Sequence, residues 1–204
     1  MNYQDDRLEF LRVQIQPHFL FNTLNTVMGF CISDPQKAYH LLDDFAYYLR
    51  GKFDFKSIDE PILLSMEMDL VTSYLSIEKA RFGDKLAYSL ELEDDVNVNL
   101  AIQPLVENAV KHGVDKKLSG GRIDIGVRKT DTGYAVYVED NGVGMSSEKV
   151  GAIFEVEGNS QGIGLKNVNE RLRLHYGKGL EVESKPGKGT RVSFEVPSMP
   201  TRGR

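Results

Sequence analysis

Sixteen of the nineteen glycines of this chain lie after residue 85, and only Gly29, Gly51 and Gly83 lie before it. Glycine is unfavourable inside a helix and serves tight turns between strands, so the two parts call for different architectures. The aromatics lean the other way, thirteen of nineteen falling before residue 86. The reading is a helical segment over residues 1–85, a glycine-turned domain of strands and helices over 86–197, and a disordered tail over 198–204.

Hydrophobic periodicity gives each part its expected elements. Leu8, Leu11, Ile15 and Phe19 recur at helical spacing, and the stripe continues through Leu24, Val27 and Met28. A second helix is predicted from the start signal Ser33-Asp34-Pro35 through Tyr39, Leu42, Phe45, Ala46 and Leu49 to Gly51, and a third from Leu64 to Arg81. Their apolar faces are few for an independent core, which favours a hairpin that completes its core by dimerising. From residue 86 the period becomes two: Leu86, Tyr88, Leu90 and Leu92, then Ile123, Ile125 and Val127, then Tyr134, Val136 and Val138. Further strands are expected at 180–183 and 190–196, and helices at 100–112 and 165–176. This order predicts an α+β sandwich, a mostly antiparallel sheet with helices on one face. The weakly periodic connection over 146–161 is a candidate lid.

With 41% hydrophobic and 27% charged residues, the 204-residue chain has the composition of a globular protein, excluding collagen-like, disordered and mucin-like readings. A chain of this length buries roughly 70% of its unfolded surface and needs no disulfide scaffold; the single Cys31 suits a reducing compartment. A net charge of -5 without a long basic run argues against nucleic acid as a main partner. No apolar stretch approaches the roughly 18 residues of a membrane span, and the N-terminus lacks a signal pattern. The chain is expected to be soluble, whether or not it belongs to a larger membrane protein.

Three short constellations carry chemistry. In Pro104-Leu105-Val106-Glu107-Asn108-Ala109-Val110-Lys111-His112-Gly113, helical spacing places a carboxylate, an amide, an ammonium and an imidazole over one patch. An amide oxygen beside a carboxylate suits Mg²⁺, although a solvated helix face has the same composition. In Val138-Glu139-Asp140-Asn141-Gly142-Val143-Gly144, a carboxylate at a strand end can accept from an exocyclic amine, and the glycines let a flat ring approach; an ordinary turn reads alike. In Gly162-Ile163-Gly164-Leu165-Lys166, glycines open a helix whose free N–H groups suit a phosphate, or simply permit close packing.

Together, and in this order, these segments resemble the GHKL family of ATP-binding domains, named for gyrase, Hsp90, histidine kinases and mismatch-repair ATPases, over about residues 86–197. The resemblance implies that Asn108 binds Mg²⁺ and Asp140 the adenine amine. It places Gly142 and Gly144 in the base pocket, Gly162 and Gly164 on the phosphates with Leu165 adjoining, Lys111 and His112 near phosphate or ribose, and Thr190 on the pocket floor. In relatives that hydrolyse ATP, the position of Glu107 activates water.

A fourth segment separates the GHKL relatives. In Gln16-Pro17-His18-Phe19-Leu20-Phe21-Asn22-Thr23-Leu24-Asn25, a proline within a helical pattern forces a bend or exposed turn before His18. A neutral imidazole accepts a phosphoryl group, and Asn22, one turn on, is placed to hold it. The segment resembles the phosphoacceptor region of LytS/YehU-type sensor histidine kinases, and Glu78-Lys79-Ala80-Arg81-Phe82-Gly83-Asp84 fits the same family. Where better-known histidine kinases carry an acid after the histidine, this chain has Phe19, which leaves the base for His18 unassigned.

The resemblance implies the cytoplasmic core of a bacterial membrane sensor: a homodimer through residues 8–80 that binds ATP and Mg²⁺, phosphorylates His18 and passes the phosphoryl group to a response regulator of LytTR type. Two alternatives stay open, a GHKL ATPase in which Glu107 activates water, and a nucleotide-binding docking module without catalysis. His40 and His175 lie outside every motif, and Arg171 and Arg173 read as salt-bridge residues on a solvated helix.

Overall fold

A computed structural model describes residues 17–54, 62–93, 97–98, 101–154 and 163–197. These fall into two compact units, one within Met1–Ser57 and Thr72–Gly83, the other within Ile58–Val71 and Asp84–Arg204.

In the first unit, α1 (Pro17–Ser33) and α2 (Pro35–Asp54) form a hairpin. Asp34 ends one helix and caps the next, its Oδ1 accepting the Lys37 N–H at 3.1 Å. The second half of α3 (Leu64–Phe82) belongs to the same unit. Phe19 supplies its centre: the ring lies 5.1 Å from Tyr48, 5.3 Å from Tyr74 and 6.2 Å from Phe45, in the tilted geometry that aromatic pairs favour. The N-terminal bias of the aromatics therefore has a structural use. It also explains the absent acid after His18, since that position is filled by a buried core ring. A second apolar stripe on α1 points outward, with Phe21 65%, Met28 61% and Ile32 94% exposed.

The second unit is built on a five-stranded sheet with β2 (Leu86–Leu92), β4 (Gly121–Thr130), β5 (Gly133–Asp140), β6 (Glu181–Lys185) and β7 (Gly189–Pro197), in the order β2-β4-β5-β7-β6. Only β2 and β4 are parallel. Ile125, Val138 and Val192 stand in register across three strands and are buried. On this side lie α4 (Ile102–Asn108) and α6 (Ile163–Tyr176), whose Leu105, Val106, Val168 and Leu172 complete the core. The opposite face is charged: Arg128 pairs with Glu91 at 2.7 Å and Arg191 with Glu139 at 2.6 Å, while the Arg191 guanidinium stacks 4.0 Å from the Tyr137 ring centre. The α+β expectation, with helices on one face of a mostly antiparallel sheet, is what the chain adopts.

Some local expectations differ. A two-stranded ribbon pairs β1 (Ile62–Leu63) with β3 (Asn97–Val98), too short for periodicity to reveal. Of the alternating β2 leucines only Leu86 is fully buried, because this is an edge strand and Leu90 and Leu92 are exposed. The connection after Met145 contains α5 (Ser147–Ala152), capped by Ser146 Oγ. The rest of the candidate lid, 155–161, lies outside the described residues, as do Gly162, the tail at 198–204, and Leu8, Leu11 and Ile15.

Candidate active site

The helix carrying Asn108 does not end there. It widens into a π turn over Ala109–Val114, closed by the Asp115 N–H on the Val110 carbonyl at 2.8 Å. A π turn holds more residues per turn than an α-helix, so positions beyond 109 rotate relative to a regular helix. Asn108, His112 and Lys116 consequently line one cavity, while Lys111 is exposed to solvent and outside that lining. Where the sequence pointed to Lys111, the structure brings Lys116, and with it Lys149 from α5.

The cavity has a volume of about 480 Å³, within the range of small-molecule sites. Its walls are apolar, formed by Leu105, Val138, Met145, Ile153, Leu165 and Val192. Asp140 brings a carboxylate into this lining from the end of β5 and is only 6% exposed. The Gly142 N–H donates to its Oδ1 at 2.8 Å. Burial raises the carboxyl's pKa, and hydrogen bonds from the backbone at Gly142 and Thr190 oppose that rise. Thr190 also lines the cavity; its hydroxyl stands 2.8 Å from Ser184 Oγ, which in turn accepts the Met145 N–H at 2.8 Å. Ser184 thus ties the glycine turn to the pocket floor, a role no sequence signal announced.

Of the glycines, Gly142 differs from the sequence expectation. Gly142 is buried against the backbone of Gly113, and a β-carbon there would meet that backbone rather than a bound ring. Gly113 in turn faces the Asp140 carboxylate. Gly144 does line the cavity, with φ +63, a left-handed conformation that glycine adopts readily. Gly164, exposed at the start of α6, has room for a β-carbon, which would make an ordinary contact with Asn108 Nδ2 at 3.8 Å.

His112 is pushed down to about 4 by burial and by the neighbouring Lys116 and Lys111 charges, so its imidazole is neutral at pH 7. It offers a hydrogen bond rather than a cation. Glu107, half-buried and outside the cavity lining, accepts the Gln103 side-chain amide on Oε1 at 3.1 Å.

In the helical unit, His18 is exposed one turn before Asn22, whose Nδ2 lies 3.1 Å from Nδ1 and 3.2 Å from Nε2 of the ring. His40 and His175 are exposed as well.

The donor set suits a purine nucleotide: apolar walls for a flat base, one buried carboxylate for an exocyclic amine, two ammoniums for phosphates, and an amide oxygen for a hard cation. Comparison with known families agrees. The histidine kinase family matches residues 6–86, and the family described as histidine kinase-, DNA gyrase B- and HSP90-like ATPase matches residues 93–200. The chain belongs to the sensor histidine kinases.

This kinase core is 40% identical to the YwpD protein of Bacillus subtilis (strain 168), over 98% of the chain and 74% of that protein. It is 35% identical to the sensor histidine kinase YpdA of Escherichia coli (strain K12) and 34% identical to the sensor protein LytS of Bacillus anthracis, in each case over 95% of the chain. The chain spans 34% of the length of each of those two sensors. In fold, the catalytic domain of histidine kinase ThkA superposes with a TM-score of 0.54 at 19% identity, covering 69% of this chain and 99% of that one. The mycobacterial sensor histidine kinase MprB gives 0.53 at 18%, covering 70% and 99%. The kinase core is thus a member of an ATP-dependent family, and among its described residues no helix is long and apolar enough to cross a membrane.

Proposed function

We propose that this kinase core binds Mg-ATP in the cavity of its second unit, phosphorylates His18 and passes the phosphoryl group to an aspartate of a response regulator, of LytTR type by kinship with LytS. The observation that carries the reading is the convergence of Asp140, Asn108, Lys116 and Lys149 on one apolar cavity, in a chain that also presents an exposed histidine within reach of an amide. Asp140 accepts the adenine amine, Lys116 and Lys149 face the phosphates, and Asn108 supplies the protein's oxygen to Mg²⁺. The ion, when bound, neutralises charge on the phosphates. Gly162 and Gly164 are assigned to the phosphates, with Leu165 under the base and Thr190 on the floor.

A neutral His18 attacks the γ-phosphorus through a ring-nitrogen lone pair. A P–N bond forms, the bond to the β,γ-bridging oxygen breaks, ADP leaves with that electron pair, and the proton on the other ring nitrogen can pass to water. Asn22 then shifts its amide from the ring to a phosphoryl oxygen. Catalysis rests on positioning and charge neutralisation. The apolar stripe of Phe21, Leu24, Met28 and Ile32 is assigned to a homodimer, and any membrane anchor to segments outside this chain. Closure of 146–161 over the nucleotide is part of the same proposal.

The test is incubation with γ-labelled ATP and Mg²⁺, comparing wild type with His18→Gln and following protein-bound label and free phosphate. Acid-labile, base-stable label that disappears in His18→Gln is the expected result. Free phosphate alone, equal in both proteins, would instead favour hydrolysis with Glu107 activating water; nucleotide binding with neither product would favour a docking module.

A further inference from the structure

Helix α4 starts without a cap of its own. The residue before it is Ala101, which has no side-chain acceptor, and Ala101, Ile102 and Gln103 are all buried. The first N–H groups of a helix have no partner within it, and here water is excluded. The partner comes from another helix: Glu67, on the first half of α3, is 0% exposed, and its Oε1 accepts the Gln103 N–H at 3.0 Å. The backbone at Ile102 and Ala101 also acts on this carboxylate to lower its pKa, while its Oε2 is buried without a hydrogen-bond partner among the described residues.

Two further contacts extend its reach. The Gln103 side chain holds Glu107, one residue before Asn108, so the residue anchored through its backbone also braces the turn that faces the cavity. From α6, the half-buried Arg171 guanidinium acts on the Glu67 carboxylate as a favourable charge. The same helix carries Leu165 to the cavity. One buried carboxylate therefore faces both helices that wall the site.

We infer that Glu67 is a positioning residue for nucleotide binding, its charged carboxylate fixing the start of the helix that delivers Asn108 and His112. The inference rests on the nucleotide reading above and adds to it a residue that touches neither base nor phosphate. An anion at a helix N-terminus is stabilising, and the charge is poised: burial raises the Glu67 pKa to about 7, against the Ala101, Ile102 and Gln103 N–H groups and the Arg171 charge, which lower it. Protonation near neutral pH removes the charge while leaving a carbonyl acceptor.

The test compares wild type, Glu67→Gln and Glu67→Ala in two measurements. Hydrogen exchange of the amides at 102–108, without nucleotide and at one pH, is expected to speed up about tenfold or more in Glu67→Ala, with the sheet amides unchanged. The affinity for MgATP is expected to fall about threefold to tenfold in wild type from pH 8 to pH 6 relative to Glu67→Gln, in which the nucleotide's own titration is the same. Glu67→Gln keeps the volume and one acceptor, so it decides the question if Glu67→Ala does not fold. Parallel pH profiles of wild type and Glu67→Gln, or faster exchange with unaltered affinity, would overturn the inference. Wild type that bound MgATP without forming phosphohistidine would overturn only the kinase step; wild type that bound none would overturn the nucleotide reading and this inference together.

Discussion

The backbone N–H of Gly142 donates to Oδ1 of Asp140 at 2.8 Å, so the turn that follows β5 orients the carboxylate from which it starts. Asparagine can accept the same bond, which separates recognition from folding. Asp140→Asn is expected to leave the melting temperature within a few degrees of wild type while weakening ATP binding about tenfold to a hundredfold, the value of a hydrogen bond to a charged group. Calorimetric titration checks this, and undiminished affinity would remove Asp140 from the adenine site.

Gly142 lies against the backbone of Gly113 with no space for a β-carbon. Gly142→Ala should therefore act through the fold, separating the turn from the π turn at a cost of about 1–3 kcal/mol in stability. Thermal unfolding measures it. A variant as stable as wild type would show that the turn yields without strain.

Asn108 is the proposed protein ligand of Mg²⁺. Asn108→Ala should bind ATP in EDTA as wild type does, yet gain little affinity when Mg²⁺ is added. If the Mg²⁺ dependence of ATP affinity were unchanged, the metal would have to be held elsewhere.

Phe21 and Met28 share the outward stripe of α1. Burying a large apolar side chain contributes about 1.5–3 kcal/mol, so Phe21→Asp or Met28→Asp should weaken a homodimer at least about tenfold. Sedimentation at several concentrations reads this directly, and an unaltered association constant would move the interface away from α1.

Glu67 also makes a prediction about stability. Its folded pKa of about 7 exceeds the ordinary 4.5, so between these values the folded chain holds a proton that the unfolded chain has released. The corresponding stability is fully present below about pH 4.5 and is lost as pH rises through 7, by up to about 3 kcal/mol. Glu67→Gln should show a flatter dependence and become the more stable protein at pH 8. His112, shifted down to about 4, contributes the opposite slope between pH 4 and 6.5 and cancels in the comparison. Identical pH profiles of unfolding for the two proteins would rule out a titrating Glu67.

The elements with long periodic patterns were legible from residues alone. The alternation in Ile123–Val127 and Tyr134–Val138 became β4 and β5, and Asp34-Pro35 began α2 where a cap and a proline favour a start. Asp140, Asn108, His112, Gly144, Leu165 and Thr190 were expected at a nucleotide site, and all line one cavity. The lysines were not legible, because regular helical spacing selects Lys111 whereas the π turn turns it outward and brings Lys116 in. Nor was the use of Gly142, since a residue that excludes a β-carbon reads the same whether the neighbour is a ligand or Gly113.

By itself, then, the sequence determined the change from helices to a glycine-turned sheet near residue 86 and pointed to Asn108, His112, Asp140 and Thr190, though not Lys116 or Lys149, among the polar groups of the cavity, because period, turn chemistry and side-chain chemistry are local properties. Only the tertiary structure decided that Phe19 would fill a core with Tyr48 and Tyr74, and that Glu67 would cap a helix 36 positions away at Gln103. A buried carboxyl group needs donors or cations from other segments of the chain, and that meeting is a property of the folded chain.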